Sequence, residues 1–290
     1  MDRRIRIGVA IVLAVAVGAP TARGALLEFC DDFSACPEYK DPYAERIETE
    51  RHDFTQSATT VGRGVVQVES GYTFFYDEED GERETAHTVP ELMLRFGLTD
   101  DIEFRLRWDY AWVVPDGEPV ESGAEDLRWS FKLQMTEQRE SSWRPTSALE
   151  INSTLPTGGE AWTTGRVGIG LDYIYQWEVS PGTTLAGSTG FSTDGFGDFG
   201  LLPEEPQADK SLAMSQSAVV GFELSESNTA YVEWFCILSH GLEDEFVIHV
   251  FDIGVDHYVT DNFVLDVRVG MGLSGDADDF FSGVGGGYRF

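Results

Sequence analysis

Long apolar runs are almost absent from this chain of 290 residues. The one candidate, Ile7 to Ala19, falls well short of the ~20 residues a membrane-spanning helix needs, so any crossing of a membrane must use strands. Positive charge is also scarce. Twenty Lys and Arg stand against 51 Asp and Glu, a formal charge of −31. That balance excludes nucleic acid as a partner, because such binding rests on Lys and Arg meeting phosphates. It equally disfavours docking on anionic lipid. Cysteine is limited to Cys30, Cys36 and Cys236, with no second Cys or His pair at zinc spacing, so no metal and no cofactor is expected. Cys30 and Cys36 could close a small disulfide loop in an exported chain; Cys236 reads as a small apolar strand residue. The five histidines accompany no Gly-x-Ser-x-Gly elbow and no Walker loop. The chain therefore reads as a non-enzyme, with a hydrolase built around Ser239-His240 as the catalytic alternative.

What is present begins at the amino terminus. Arg3, Arg4 and Arg6 precede the short apolar run, and Ala22-Arg23-Gly24 offers small residues for cleavage. Residues 1–24 read as a secretory signal peptide. Its removal takes away four arginines and one aspartate and moves the formal charge from −31 to −34. Residues 25–63 show no clear strand and carry Asp31, Asp32, Glu38, Asp41, Glu45, Glu48 and Glu50. This acidic leader is either a periplasmic tail or a plug set against Arg95, Arg105 and Arg107.

From Gly64 onward the side chains alternate. In the clearest stretch, Ile102, Phe104, Leu106, Trp108, Tyr110 and Trp112 share one face, with Glu103, Arg105, Arg107 and Asp109 on the other. The same reading gives twelve strands near 64–76, 88–98, 102–113, 125–136, 146–155, 166–178, 183–192, 211–224, 229–239, 247–258, 263–273 and 280–290. Short turns such as Val179-Ser180-Pro181-Gly182 alternate with longer, mostly acidic or Gly/Pro-rich loops, among them 77–87, 114–124 and 193–210. Short turns on one side and long loops on the other are the asymmetry of a bacterial outer-membrane barrel. The last strand places Val284, Tyr288 and Phe290 on one face and Gly283, Gly285, Gly287 and Arg289 on the other. A terminal aromatic suits the membrane interface and the machinery that assembles barrels. The predicted fold is all-β: a transmembrane, antiparallel, up-and-down β-barrel over 64–290, embedded in outer-membrane lipid. Tyr72, Trp108, Trp112, Trp129, Trp177, Trp234 and Phe290 are its expected interface aromatics. The acidic run Asp77 to Glu84 lacks the spacing of a calcium loop and reads as a solvated charge run.

Two stretches resemble a known family. Arg51-His52-Asp53-Phe54-Thr55-Gln56-Ser57 precedes Gln67-Val68-Glu69-Ser70-Gly71-Tyr72, and Pro90-Glu91-Leu92-Met93-Leu94-Arg95-Phe96-Gly97-Leu98-Thr99-Asp100 follows. These are similar to motifs of the outer-membrane channel family linked to the MetA pathway of phenol degradation. The resemblance spans roughly 51–290; His52 stands where that family commonly has Pro, and the chain is unusually acidic. It implies a porin-like barrel for passive passage of small solutes, aromatic compounds among them. A closed structural or adhesin-like barrel is the alternative.

If the apolar phase of each strand faces lipid, the lumen receives an uneven charge set. Arg95, Arg105, Arg107, Arg128 and Lys132 form a basic wall on neighbouring strands, and Glu223, Glu233, Asp252 and Asp256 form an acidic wall across from it. These charges either set a transverse field in an open pore or pair with one another and fill a narrow one. A twelve-stranded barrel lies between the filled eight-stranded and the open sixteen-stranded cases.

Overall fold

The computed structural model describes residues 41–79, 81–117, 119–139, 143–196, 199–200, 211–241 and 245–290. The strands are β1 (Val66–Glu79), β2 (Glu82–Gly97), β3 (Ile102–Pro115), β4 (Glu121–Ala124), β5 (Leu127–Thr136), β6 (Thr146–Leu155), β7 (Gly168–Ser180), β8 (Thr183–Ser192), β9 (Gly195–Phe196), β10 (Phe199–Gly200), β11 (Leu212–Ser225), β12 (Asn228–His240), β13 (Val247–Thr260), β14 (Phe263–Gly272) and β15 (Phe280–Arg289). Both β4 and β5 pair with β3, so they form one barrel strand interrupted at Glu125-Asp126. β9 and β10 make a separate two-stranded hairpin. The remaining order closes on itself, because β15 pairs with β1 from Gln67↔Arg289 to Tyr76↔Phe280. The result is a twelve-stranded antiparallel barrel, which leaves no unpaired edge in the bilayer.

Alternation sets which side chains face in. Glu69, Glu91 and Glu103 are 0% exposed, whereas Ile169 is 62% and Val284 53% exposed. Apolar residues cover the outer wall because lipid takes the place of water there. Aromatics gather on that wall: His87 stacks on Trp112 with ring centroids 5.2 Å apart, and its Nδ1 lies 2.9 Å from the Tyr72 hydroxyl. Tyr173, Tyr175 and Trp177 form a ladder, and Phe290 is 65% exposed. No helix among the described residues is long and apolar enough to cross a membrane.

Two expected loops are largely strand. Over 77–87, β1 and β2 continue as a hairpin with Asp77↔Glu84, Glu78↔Arg83 and Glu79↔Glu82 paired. Its acids are tolerated because they project into solvent, and Arg83 holds Glu78 at 3.0 Å. The 114–124 loop is shortened at both ends by β3 and β4. Cys236 is a free, buried thiol on β12. Cys30, Cys36 and the expected signal segment lie outside the described residues.

Candidate functional site

The barrel lumen is divided by height. β12 rises from the short turn at 226–227, carrying Tyr231 and Glu233 inward first, then Phe235 and Ile237. β1 rises likewise through Gln67 and Glu69 to Phe75. The periplasmic half is therefore lined by charge. The outer half holds a cluster of Phe75, Phe196, Phe235, Ile237, Val250 and Phe281.

Residues 47–61 run through the charged half. Ile47, Thr49, Glu50, Arg51, His52, Thr55, Ser57, Ala58 and Val61 are all buried. This segment has no alternating pattern and no entry in the β-ladder of the barrel. Its main-chain N–H groups go instead to carboxylates on the wall. Glu69 accepts from Glu50 N (2.8 Å) and Arg51 N (2.9 Å). Glu233 accepts from Phe54 N (2.9 Å) and Thr55 N (2.7 Å), and Glu103 accepts from Val61 N (2.8 Å). Buried donors require such partners, so these three acids act as substitute ladder acceptors.

Charges on the segment are complementary to the wall around it. The Glu50 carboxylate meets Arg95 Nη2 (2.8 Å), Arg105 Nη2 (2.7 Å) and Lys132 Nζ (2.7 Å). Burial alone would oppose its ionisation, but Arg105, Arg95 and Lys132 outweigh that and hold its pKa below the ordinary carboxylate value. Arg51 pairs with Glu91 and Asp266. His52 Nε2 lies 3.1 Å from Asp256. Burial disfavours the imidazolium, yet Asp256 and Asp53 raise the His52 pKa to about 10, so it is charged at neutral pH. Arg268 and Tyr231 both donate to the His52 carbonyl, at 3.0 and 3.2 Å. The glycine-rich face of β15 has its reason here: a Cβ on Gly285, or on Gly71 across the closure, would collide with the Arg51 guanidinium.

Among the anticipated wall residues, Arg95, Arg105 and Lys132 come together around Glu50, joined by Glu69, Glu103 and Glu150. Arg107 turns to Asp109 at 2.8 Å. Arg128 reaches Thr154 at 3.3 Å. On the acidic side Glu233 and Asp256 hold the segment, and Asp252 lines the cavity above it. Glu223 stands at the periplasmic rim, where its side chain is 56% exposed, lines the lower cavity and pairs with Arg46 at 2.9 Å. Strand phase predicted an inward direction for Glu223 but not its height at the barrel end. The wall charges are paired with one another and with the segment, the second of the two expected arrangements. The Arg51 to Ser57 run was legible as a motif, but nothing in it announced a lumenal position. Ser239 and His240 do not form a nucleophile pair: Ser239 Oγ accepts from Phe246 N at 2.7 Å and His240 faces Glu245 at 3.0 Å.

Above the segment lies a cavity of ≈ 90 Å³, with Phe54, Phe235, Phe281 and Met93 among its apolar lining and Asp252 and Asp172 among its polar lining. Below, on the periplasmic side, are wider cavities of ≈ 660 and ≈ 440 Å³. The segment is the constriction between them.

This architecture is similar to that of solved outer-membrane proteins. The crystal structure of an outer membrane channel from Pseudomonas putida F1 matches with a TM-score of 0.61 at 14% identity, over 84% of this chain and 100% of that one. The NanC porin matches with a TM-score of 0.47 at 8% identity, over 78% and 100%. The KdgM porin, solved with disordered oligogalacturonate, gives 0.45 at 11%, over 77% and 99%. No curated protein matches the chain. The closed barrel with its apolar outer wall places the protein in the bacterial outer membrane. The model of the family described as "Putative MetA-pathway of phenol degradation" matches residues 49–290, which takes in all but the first two residues of the buried segment and every barrel strand, and the chain belongs to that family.

Proposed function

We propose that this barrel is a normally closed channel for passive passage of small solutes, aromatic compounds among them, with residues 47–61 as a removable plug. One observation carries the reading. The lumen is blocked by a segment that is tied to the wall through side chains, with cavities on both of its sides. Because the segment stands outside the strand ladder, it can leave without opening the barrel wall. Withdrawal of the segment would join the cavities into one path. Aromatic solutes fit the reading because the outer half of the lumen is lined by phenylalanine. Lumenal lining of mixed character is also compatible with polar solutes.

The test is electrical. In planar bilayers the wild-type protein should show rare, brief openings. A variant lacking residues 47–57 should conduct continuously. Liposome swelling should then rank phenol, benzoate and a hexose through that variant. Absence of current above leak from the deleted form would reject the channel and favour a closed structural barrel.

A further inference from the structure

The tip of the buried segment is an aromatic side chain. Phe54 stacks on Phe235 of β12 with centroids 4.2 Å apart and planes 4° from parallel. Phe196 lies beside it at 6.2 Å. Phe54 thus projects upward from a charged layer into the phenylalanine cluster, while its own N–H is held by Glu233 below. Offset or parallel aromatic pairs gain ~0.5–1.5 kcal/mol beyond the area they bury. A stack of that kind is enough to help hold a segment in place and weak enough to be exchanged.

The same cavity contains a polar atom without a partner. Asp252, next to Phe281 across Gly270, is 3% exposed, and its Oδ1 has no hydrogen-bond partner among the described residues. A buried carboxylate oxygen left unpaired costs free energy. Asp252 lines the cavity together with Phe54, Phe235 and Phe281, so a donor that enters the cavity can reach its carboxyl group. A ring for the phenylalanine face and a donor for Asp252 together describe an arene bearing a hydroxyl or amino group.

We propose that Phe54 is the resident occupant of an arene-binding site, and that an arene carrying a hydrogen-bond donor unseats the plug by replacing Phe54 against Phe235 while donating to Asp252. This rests on the plugged-channel reading above and adds its trigger. The exchange is non-covalent. The incoming ring restores the stack that Phe54 gives up and removes one of the contacts that hold the segment.

Full-length protein in planar bilayers provides the test, with phenol as the probe. Cyclohexanol serves as the donor of like size without a ring face, and anisole as the ring without a donor. Phenol should raise the open probability of the wild type about fivefold over cyclohexanol, the ratio that ~1 kcal/mol of stacking confers, and should exceed anisole. Phe54→Ala should open more often without solute and lose the phenol response, and Phe235→Ala should do the same. If either alanine variant fails to give a heat-modifiable folded barrel, Phe54→Leu, which keeps bulk without a ring face, carries the test. Equal responses to phenol and cyclohexanol, or a folded Phe54 variant with wild-type closure and full phenol response, would overturn the trigger. In that event continuous current from the form lacking residues 47–57 would leave the channel intact, whereas silence from that form would remove the channel itself.

Discussion

The two sides of the lumen hold the same segment in different ways. On β2, β3 and β5, Arg95, Arg105 and Lys132 are interleaved with Glu103, and Glu69 and Glu150 flank them. That side is nearly balanced within the wall, and the segment adds a single carboxylate, Glu50. On β12 and β13, Glu233, Asp252 and Asp256 stand in an acidic stretch, and the segment brings the positive groups: His52, and the N–H groups of Phe54 and Thr55. Both sides accept main-chain N–H groups of the segment, at Glu69 and Glu103 on the first and at Glu233 on the second; what sets the first apart is the cluster of Arg95, Arg105 and Lys132 around Glu50. A buried charge is tolerated only with partners, so the segment and the wall must be read as one charge system.

The largest effect should come from the first side. Glu50→Ala removes the carboxylate that Arg95, Arg105 and Lys132 share and should cost roughly 3–5 kcal/mol. Denaturant unfolding of the barrel and continuous conductance would both register it. A wild-type unfolding midpoint and normal closure in that variant would mean that the basic side is balanced without the segment.

On the second side, Glu233→Ala removes the acceptor of two buried N–H groups. It should weaken the seat by about 1–3 kcal/mol while leaving the barrel ladder intact. Access of a charged thiol reagent to Ser57→Cys from the periplasmic side should rise in that background. Unchanged access would break the distinction between the two sides.

Acidity and alkalinity should attack opposite sides. Glu50 has a lowered pKa, so its contribution is present above its unfolded value of 4.5 and is lost as pH falls through its folded one. His52 has a raised pKa, so its contribution is complete below 6.5, declines as pH rises, and is gone above about 10. Conductance against pH should therefore show closure at neutral pH, with openings increasing at both extremes. Glu50→Gln should abolish the dependence at the acid limb, and His52→Gln that at the alkaline limb.

The smallest effect lies outside the lumen. Asp278, in the loop between β14 and β15, is pushed up to about 6 by burial and by Asp77, Glu84 and Asp279. The folded state thus resists its ionisation, a penalty absent below 3.8 and complete above about 6. Asp278→Asn should stabilise the barrel at pH 7 by about 1–2 kcal/mol, with no gain at pH 3.5 and no change in conductance. A change in closure would mean that the outer loops share in holding the plug.

Much of the wall was legible because a period of two leaves its mark in every strand. The outward Phe290 and the inward Glu103 and Arg105 follow from that alternation. The site was less legible. Phe54 and Glu233 are 179 positions apart, and Arg51 and Asp266 are 215 apart. No local pattern connects them. Residues 51–57 carry both charges, an aromatic and no periodicity, which is consistent with a loop anywhere. Phe196 likewise sits in an expected loop, and its place in the phenylalanine cluster depends on where that hairpin folds.

Local covalent geometry alone was enough to establish a twelve-stranded wall, its inside and its outside, because each side chain's direction depends only on its neighbours along the strand. Which inward charges meet, how high each one stands and what occupies the space between them were decided only when the cylinder closed and a non-repeating segment entered it. Those contacts depend on distances across the lumen, which the order of residues along the chain does not encode.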